Sequence, residues 1–283
     1  MTMVLETATP VDSDELARAQ IARRDRIMRW LIPALAVVAS IGAWALYVWA
    51  YDIPHYQLPS PARVANQLLV DWQMLGVALW VTLKITAMAL GVAVLGGVGL
   101  AILFNQSSTA ERIFLPYAVI LQVTPLIALA PLIFLYVEAP LARVLICAWI
   151  VAFFPILSNT TLGLKSTDHN LTDLFQIYRA SRWQRLIHLQ LPWALPYFLG
   201  GLRIAGGLSL VGAIVAEYVV GISGTSSGLA FRILEASYRL NVPRMFAAMI
   251  LVAVVGVLIY AATSALSWAL LHKWHESAIR RER

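Results

Sequence analysis

Charge is scarce in this chain of 283 residues, where Asp, Glu, Lys and Arg together make up 13%. Soluble domains usually carry about 25%. So few polar groups could not cover a water-facing surface on a chain that is 60% apolar. The apolar residues come in long blocks, as helices crossing the roughly 30 Å hydrocarbon core of a bilayer do. Cysteine is nearly absent. Cys147 stands alone inside the apolar run 144–150, so it can form no internal disulfide and is read as a packing residue. The chain lacks a Gly-x-x-x-x-Gly-Lys-Ser/Thr phosphate loop, so it is not expected to hydrolyse a nucleotide. No nucleophile–base arrangement stands out, and no enzymatic activity or cofactor is expected in this chain. His272 and His275 share a helical face without further ligands, and no metal site is expected. The net charge of +6 comes from residues flanking apolar runs, not from a basic surface with exposed aromatics, which excludes nucleic acid as a partner. The first 26 residues are polar and charged, so a secretory signal peptide is not expected there. No internal repeat is visible, which weighs against a secondary transporter built from inverted halves.

What is present is an all-α polytopic membrane protein with about six transmembrane helices. A cytosolic tail is read over 1–29, a membrane domain over 30–271 and a second tail over 272–283. The first span is expected over 30–51, with Pro33 in its opening turn and Trp30, Trp49 and Tyr51 at its ends. Prolines 54, 59 and 61 make 52–61 a loop, and 62–72 reads as a short amphipathic helix on the outer surface. A second span over 75–104 carries Gly91, Gly96, Gly97 and Gly99, which permit close approach of a neighbour. The third, over 113–137, holds Pro116, Pro125 and Pro131, and three prolines predict a kinked or interrupted helix. Spans four, five and six follow at 141–162, 198–220 and 245–271, with a helix-like stretch before the last.

Positive charge sets the expected orientation. With the N-terminus inside, 14 Lys and Arg fall on inner segments and 5 on outer ones. That excess places both termini and the long polar interruption over 163–197 in the cytosol. Lys84 and Arg203 fall within or at the ends of spans, where snorkelling to the interface is expected. Glu217 lies deep in an apolar run, where a carboxylate is costly unless paired or wet. It is a candidate for the translocation pathway together with Pro125 and Gly212, which come from the proline-rich third span and the glycine-rich fifth.

The interruption itself is informative. Leu174, Ile177 and Tyr178 share one helical face, and Ala180-Ser181 suits a turn with Ser181 capping a second short helix from Arg182. Trp183, Leu186, Ile187 and Leu191 give that helix an apolar face, and Pro192 is expected to stop it. Two short helices at an angle make a compact knob for a soluble partner; a plain connector rich in arginine is the alternative.

This segment resembles the cytosolic loop of permeases in binding-protein-dependent ATP-binding-cassette (ABC) importers. That loop reads Glu-Ala-Ala, three residues, Gly, nine residues, Ile, one residue, Leu-Pro. Here Leu191-Pro192 matches its end, Leu189 replaces the Ile and Asp173 stands at the Glu, while Leu174, Phe175 and Arg179 depart from both alanines and the glycine. Ala180 to Gln184, Leu191 to Tyr197, Gly201 to Ala205 and Ala213 to Glu217 extend the likeness, as does Leu58-Pro59-Ser60-Pro61. Together they resemble the taurine, sulfonate and nitrate branch, which includes carriers of pyrimidine thiamin precursors and riboflavin.

The resemblance implies a type I importer permease of the bacterial inner membrane that moves a small solute into the cytosol. It implies a permease dimer, with homodimer the expected form, in contact with membrane lipid. An extracytoplasmic solute-binding protein would deliver the solute. Cytosolic ATPase subunits, which would bind ATP and Mg, would dock on the loop through Asp173, Tyr178, Arg179, Ala180, Ser181, Arg182, Trp183, Leu191 and Pro192. A secondary transporter driven by an ion gradient is the competing reading.

Overall fold

In a computed structural model, residues 13–220 and 227–272 are described, and among them every regular element is helical. The chain divides into two compact units, residues 1–63 and 64–283. In the first, α1 (Ser13–Ala50) contains one apolar stretch, Leu31–Ala50, long enough to cross a membrane. A turn follows in which Asp52 takes a left-handed φ of 47°. The predicted short amphipathic helix is present as α2 (Pro61–Val70), opening on proline, where a missing N–H costs nothing.

The second unit holds α3 (Trp72–Gln106), α4 (Ser108–Val123), α5 (Leu126–Tyr136) and α6 (Pro140–Lys165). It continues with α7 (His169–Ile177), α8 (Arg182–Arg185), a π-helical turn over Leu186–Gln190, α9 (Leu191–Val220), α10 (Leu229–Tyr238) and α11 (Val242–Leu271). With the α1 stretch, five segments among the described residues are long and apolar enough to cross a bilayer, and α4 with α5 makes a sixth if the broken pair counts as one span. The predicted interruption of the third span is therefore present. It falls at one of the three prolines: Pro125 caps α5, and the two halves meet at 107°. Pro116 and Pro131 lie within helices.

The packing inverts the soluble pattern. Ala89, Ala93, Ala101, Ala148, Ala152, Ala205, Ala213 and Ala216 are fully or almost fully buried, while many Leu, Val and Trp side chains face outward. In lipid an outward leucine loses nothing, so helices associate through close van der Waals contact, which small residues permit. α6 lies between α3 and α9 and makes the most extensive contacts of the fold with them. A side chain at Gly97 would meet Ile156 on α6 at 2.7 Å, and one at Gly212 would meet the Ala148 backbone at 2.9 Å. Larger residues fill the end where α3, α6 and α9 converge: Phe104, Ile156, Leu164, Leu186 and Leu199 are all nearly inaccessible. Cys147 is buried in the neighbouring cluster with Ile85 and Val144, in keeping with a packing role.

Two expectations need correction. Pro192 does not stop the helix that starts at Arg182. In a regular α-helix its ring would collide with the carbonyl of His188. The π-helical turn widens the path there, with the Leu191 N–H bonding to the Leu186 carbonyl, and the chain runs on as one apolar helical stretch from 182 to 219. The fifth span thus begins well before 198. The segment 163–197 is consequently not one polar loop: α6 extends to Lys165, and only 166–181 lies between the two long helical stretches.

Candidate functional site

The short knob is built by local chemistry. Asp168 caps α7, its carboxylate accepting from the Asn170 N–H at 2.8 Å. Ser181 caps α8 in a reciprocal box: its hydroxyl accepts from the Gln184 N–H at 3.2 Å while its own N–H donates to Gln184 Oε1 at 2.8 Å. Between the helices Arg179 adopts a left-handed φ of 54°. This is the position where the resembled motif has glycine. The backbone there takes a conformation that favours glycine and bears the strain of a Cβ, about 1–2 kcal/mol.

The knob is seated by Leu186 and Leu189, both buried, and by Asn105 at the end of α3, whose amide donates to Gln190 Oε1 at 2.7 Å. Nearby, Lys165 at the end of α6 pairs with Glu111 in the first turn of α4 at 2.5 Å. The expected apolar face is thus split. Leu186 turns inward, while Leu174, Ile177, Tyr178, Trp183 and Ile187 stay exposed, Ile177 and Tyr178 by about three-quarters (76% and 77%). Asp173, Arg179 and Arg182 are exposed beside them. An open cleft of about 450 Å³ runs between α7 and α8, lined by Leu174, Phe175, Tyr178, Ala180, Gln184 and His188. Of the nine residues singled out in the sequence, Asp173 to Trp183 lie on this knob. Leu191 and Pro192 follow it at the start of α9, Leu191 half-buried and Pro192 exposed.

Pro125 and Gly212 come together elsewhere. They line a cleft of about 470 Å³ where the broken α4–α5 pair faces α6 and α9. Its walls are apolar, including Leu126, Phe154, Pro155 and Val215. Among the described residues, Gln122 and Thr124 are its only polar side chains and no charged residue lines it. Thr124 already bonds back to the Ile120 carbonyl at 2.7 Å.

Glu217 lies outside that lining. It is 2% exposed and accepts from Thr82 Oγ1 of α3 at 2.9 and 3.2 Å and from the Ala230 N–H at 3.2 Å. The Leu229 N–H donates to the same Thr82 hydroxyl at 2.9 Å. Thr82 and Glu217 therefore satisfy the first two N–H groups of α10, groups that every helix start leaves open. Both carboxylate oxygens press against Gly228, where a side chain would have no room. Sequence reasoning found Glu217 but missed Thr82, because 135 residues separate the two and a threonine in an apolar helix carries no signal. A second polar join, Asp71 with Arg244 at 2.5 and 3.0 Å and with Gln67 at 2.6 Å, fastens the start of α3 to α11. Burial works against the Asp71 charge, but these hydrogen bonds outweigh it and hold the carboxyl below its ordinary value.

A bundle of apolar helices with one broken span and one projecting two-helix knob defines a membrane-embedded transport component. The family described as "Binding-protein-dependent transport system inner membrane component" matches residues 93–272, and the chain belongs to it: this is a permease subunit of an ABC importer. It is 32% identical over 247 residues to a "Probable ABC transporter permease protein" of Haemophilus influenzae, covering 87% of this chain and 98% of that one. It is 32% identical over 242 residues to the formylaminopyrimidine transport permease protein ThiX of Halalkalibacterium halodurans, covering 85% and 95%. Relatives named as riboflavin, aliphatic sulfonate and nitrate permeases place it in the branch that the sequence suggested. The solved structure titled "Crystal structure of an amino acid ABC transporter with histidines" shares the fold, with a TM-score of 0.57 at 19% identity over 71% of this chain and 95% of that one.

Two substitutions test the local readings. Arg179→Gly removes the left-handed strain and should raise the unfolding midpoint of the detergent-solubilised chain by a few degrees, at roughly 2–4 °C per kcal/mol; an unchanged or lower midpoint contradicts it. Glu217→Ala strands Thr82 and the Ala230 N–H and should cost about 1–3 kcal/mol. Glu217→Gln keeps an acceptor and should cost clearly less. Equal losses in the two variants would show that the hydrogen bonds are not what Glu217 supplies.

Proposed function

We propose that this permease works as a dimer in the bacterial inner membrane with both termini cytosolic, and that the 168–190 knob docks on a cytosolic ATPase. The observation that carries the docking is the exposed apolar cluster of Leu174, Ile177, Tyr178, Trp183 and Ile187 on a rigidly capped support. Contiguous apolar surface of this kind at a polar boundary marks a protein interface. Arg179, Arg182 and Asp173 ring it with charge suited to fixing register. Because α8 runs through the π-helical turn into α9, a push on the knob reaches the wall of the Pro125–Gly212 cleft along one continuous helix. ATP-driven closure of the paired ATPases would thus rock α9 against α6 and the broken span, alternating access at that cleft. Glu217 and Thr82 hold α10 beside the same helix while it moves, on the side that would receive an external solute-binding protein.

The lining also bears on the solute. Relatives in the branch are named for uncharged heterocycles and for anions. A cleft with apolar walls, a single free carboxamide at Gln122 and no cation among the described residues suits an uncharged ring, because a bare anion would lose its hydration without a counter-charge. The solute is therefore a flat, uncharged heterocycle of the pyrimidine kind.

Reconstituted with its ATPase and binding protein, Arg179→Glu should insert and purify normally yet lose both solute-stimulated ATP hydrolysis and uptake. Wild-type rates in that variant would remove the docking assignment. In competition, a formylaminopyrimidine in excess should suppress uptake while nitrate and alkyl sulfonates do not; suppression by the anions alone would reverse the substrate reading.

A further inference from the structure

Arg203, on the inner half of α9, has its Nε buried and without a hydrogen-bond partner, and its guanidinium lies over the Tyr260 ring of α11, 5.5 Å from the centroid. Among the described residues it makes no ion pair. One turn along α11 from Tyr260, the Ser264 hydroxyl is also buried and unpartnered. The two groups line the same open cleft of about 300 Å³ between α9 and α11, with Gly200, Ser267 and Trp268 around them. Ser267 is occupied, donating to the Thr263 carbonyl at 2.9 Å. Arg203 and Ser264 are thus a cation and a hydroxyl that line one pocket and, among the described residues, lack an acceptor.

A buried donor of a charged group left without a partner is costly, and a protein keeps one where something of opposite sign answers it. Guanidinium donors in a planar fork match the oxygens of a phosphate, sulfonate or carboxylate, and a serine hydroxyl adds a further donor to the same group. No carboxylate of the described residues fills that role. Gly200 leaves the approach to the guanidinium clear: a side chain there would meet nothing within 4 Å. The cleft lies in the last turns of α11, beside Trp268, which is 63% exposed and stacks on His272 at 4.4 Å. An exposed tryptophan at the end of a span marks headgroup depth. The sequence beyond it carries Lys273, Arg280, Arg281 and Arg283.

We infer that Arg203 and Ser264 form an oxyanion site, with Tyr260 bracing the guanidinium, and that the headgroup phosphate of an anionic lipid fits it best; a small free oxyanion shares the chemistry. The site is distinct from the Pro125–Gly212 cleft, whose lining shares no residue with it.

The test uses the full-length chain in an uncharged detergent and reads its unfolding midpoint with four additives. These are phosphatidylglycerol, diacylglycerol (the same tails without phosphate), inorganic phosphate and methanesulfonate. Phosphatidylglycerol should raise the midpoint by on the order of 5 °C at about a hundred times its Kd, with no response to diacylglycerol. A rise with inorganic phosphate or methanesulfonate as well assigns the site to free oxyanions in addition to lipid. Arg203→Gln should abolish the response and Ser264→Ala should weaken it. The site is overturned if no oxyanion-bearing additive shifts the wild type, or if diacylglycerol shifts it equally. It is likewise overturned if Arg203→Gln responds as the wild type does. Should Arg203→Gln fail to fold, an undiminished response in Ser264→Ala overturns it alone. None of these readouts involves the ATPase or the transported solute, so a failure here leaves the importer assignment standing.

Discussion

A backbone N–H or C=O in hydrocarbon has no water to turn to, so each break in a membrane helix must be answered by another part of the protein. Three of the described irregularities show how this chain handles such breaks, within the bundle and at its edge. Pro125 ends one helix and starts another at a steep angle, without an N–H to leave open. The π-helical turn over Leu186–Gln190 carries the backbone past Pro192, with the Leu191 N–H bonded to the Leu186 carbonyl. The start of α10 is met by Thr82 and Glu217, which take up its first two N–H groups. Irregular backbone at membrane depth is tolerated where it serves a cavity or a moving part. These three breaks flank the apolar cleft, the knob and the segment leading into α10.

The second determinant is what lies between the helices. Alanine and glycine along α3, α6 and α9 let backbones approach closely, and the large apolar residues are mostly turned outward. Such an interface is held by many small contacts and a few polar joins, with no hydrophobic force pulling the helices together. Such packing suits the rocking proposed for the cleft wall. The polar joins then become the fixed points. Asp71 with Arg244 ties α3 to α11, and Glu217 with Thr82 ties α3 to the far end of α9, the end away from the knob.

Much of this was legible in the sequence, and the gaps have physical causes. Apolar blocks revealed the spans because a bilayer demands about twenty apolar residues per crossing. Three prolines revealed that the third span is broken, but not which of them breaks it, since Pro116 and Pro131 are accommodated within helices. Ser181 announced its capping role because capping is local. Pro192 misled: a proline after a short helix usually ends it, and a π-helical turn has no sequence signature. Arg179 concealed a glycine-like conformation that only the backbone shows. Arg203 and Ser264, which line one cleft, and the Glu217–Thr82 bond bring together helices far apart in the chain, and such pairings are invisible without a fold.

The account rests on the exposed knob being the face that meets the ATPase. A photo-activated cross-linking residue placed at Ile177, on that face and three-quarters exposed, tests it directly in native membranes. Irradiation should join the permease to a cytosolic ATPase subunit, and the adduct should vanish when that subunit is not expressed. Capture of the extracytoplasmic binding protein, or of lipid alone, would contradict both the orientation and the docking.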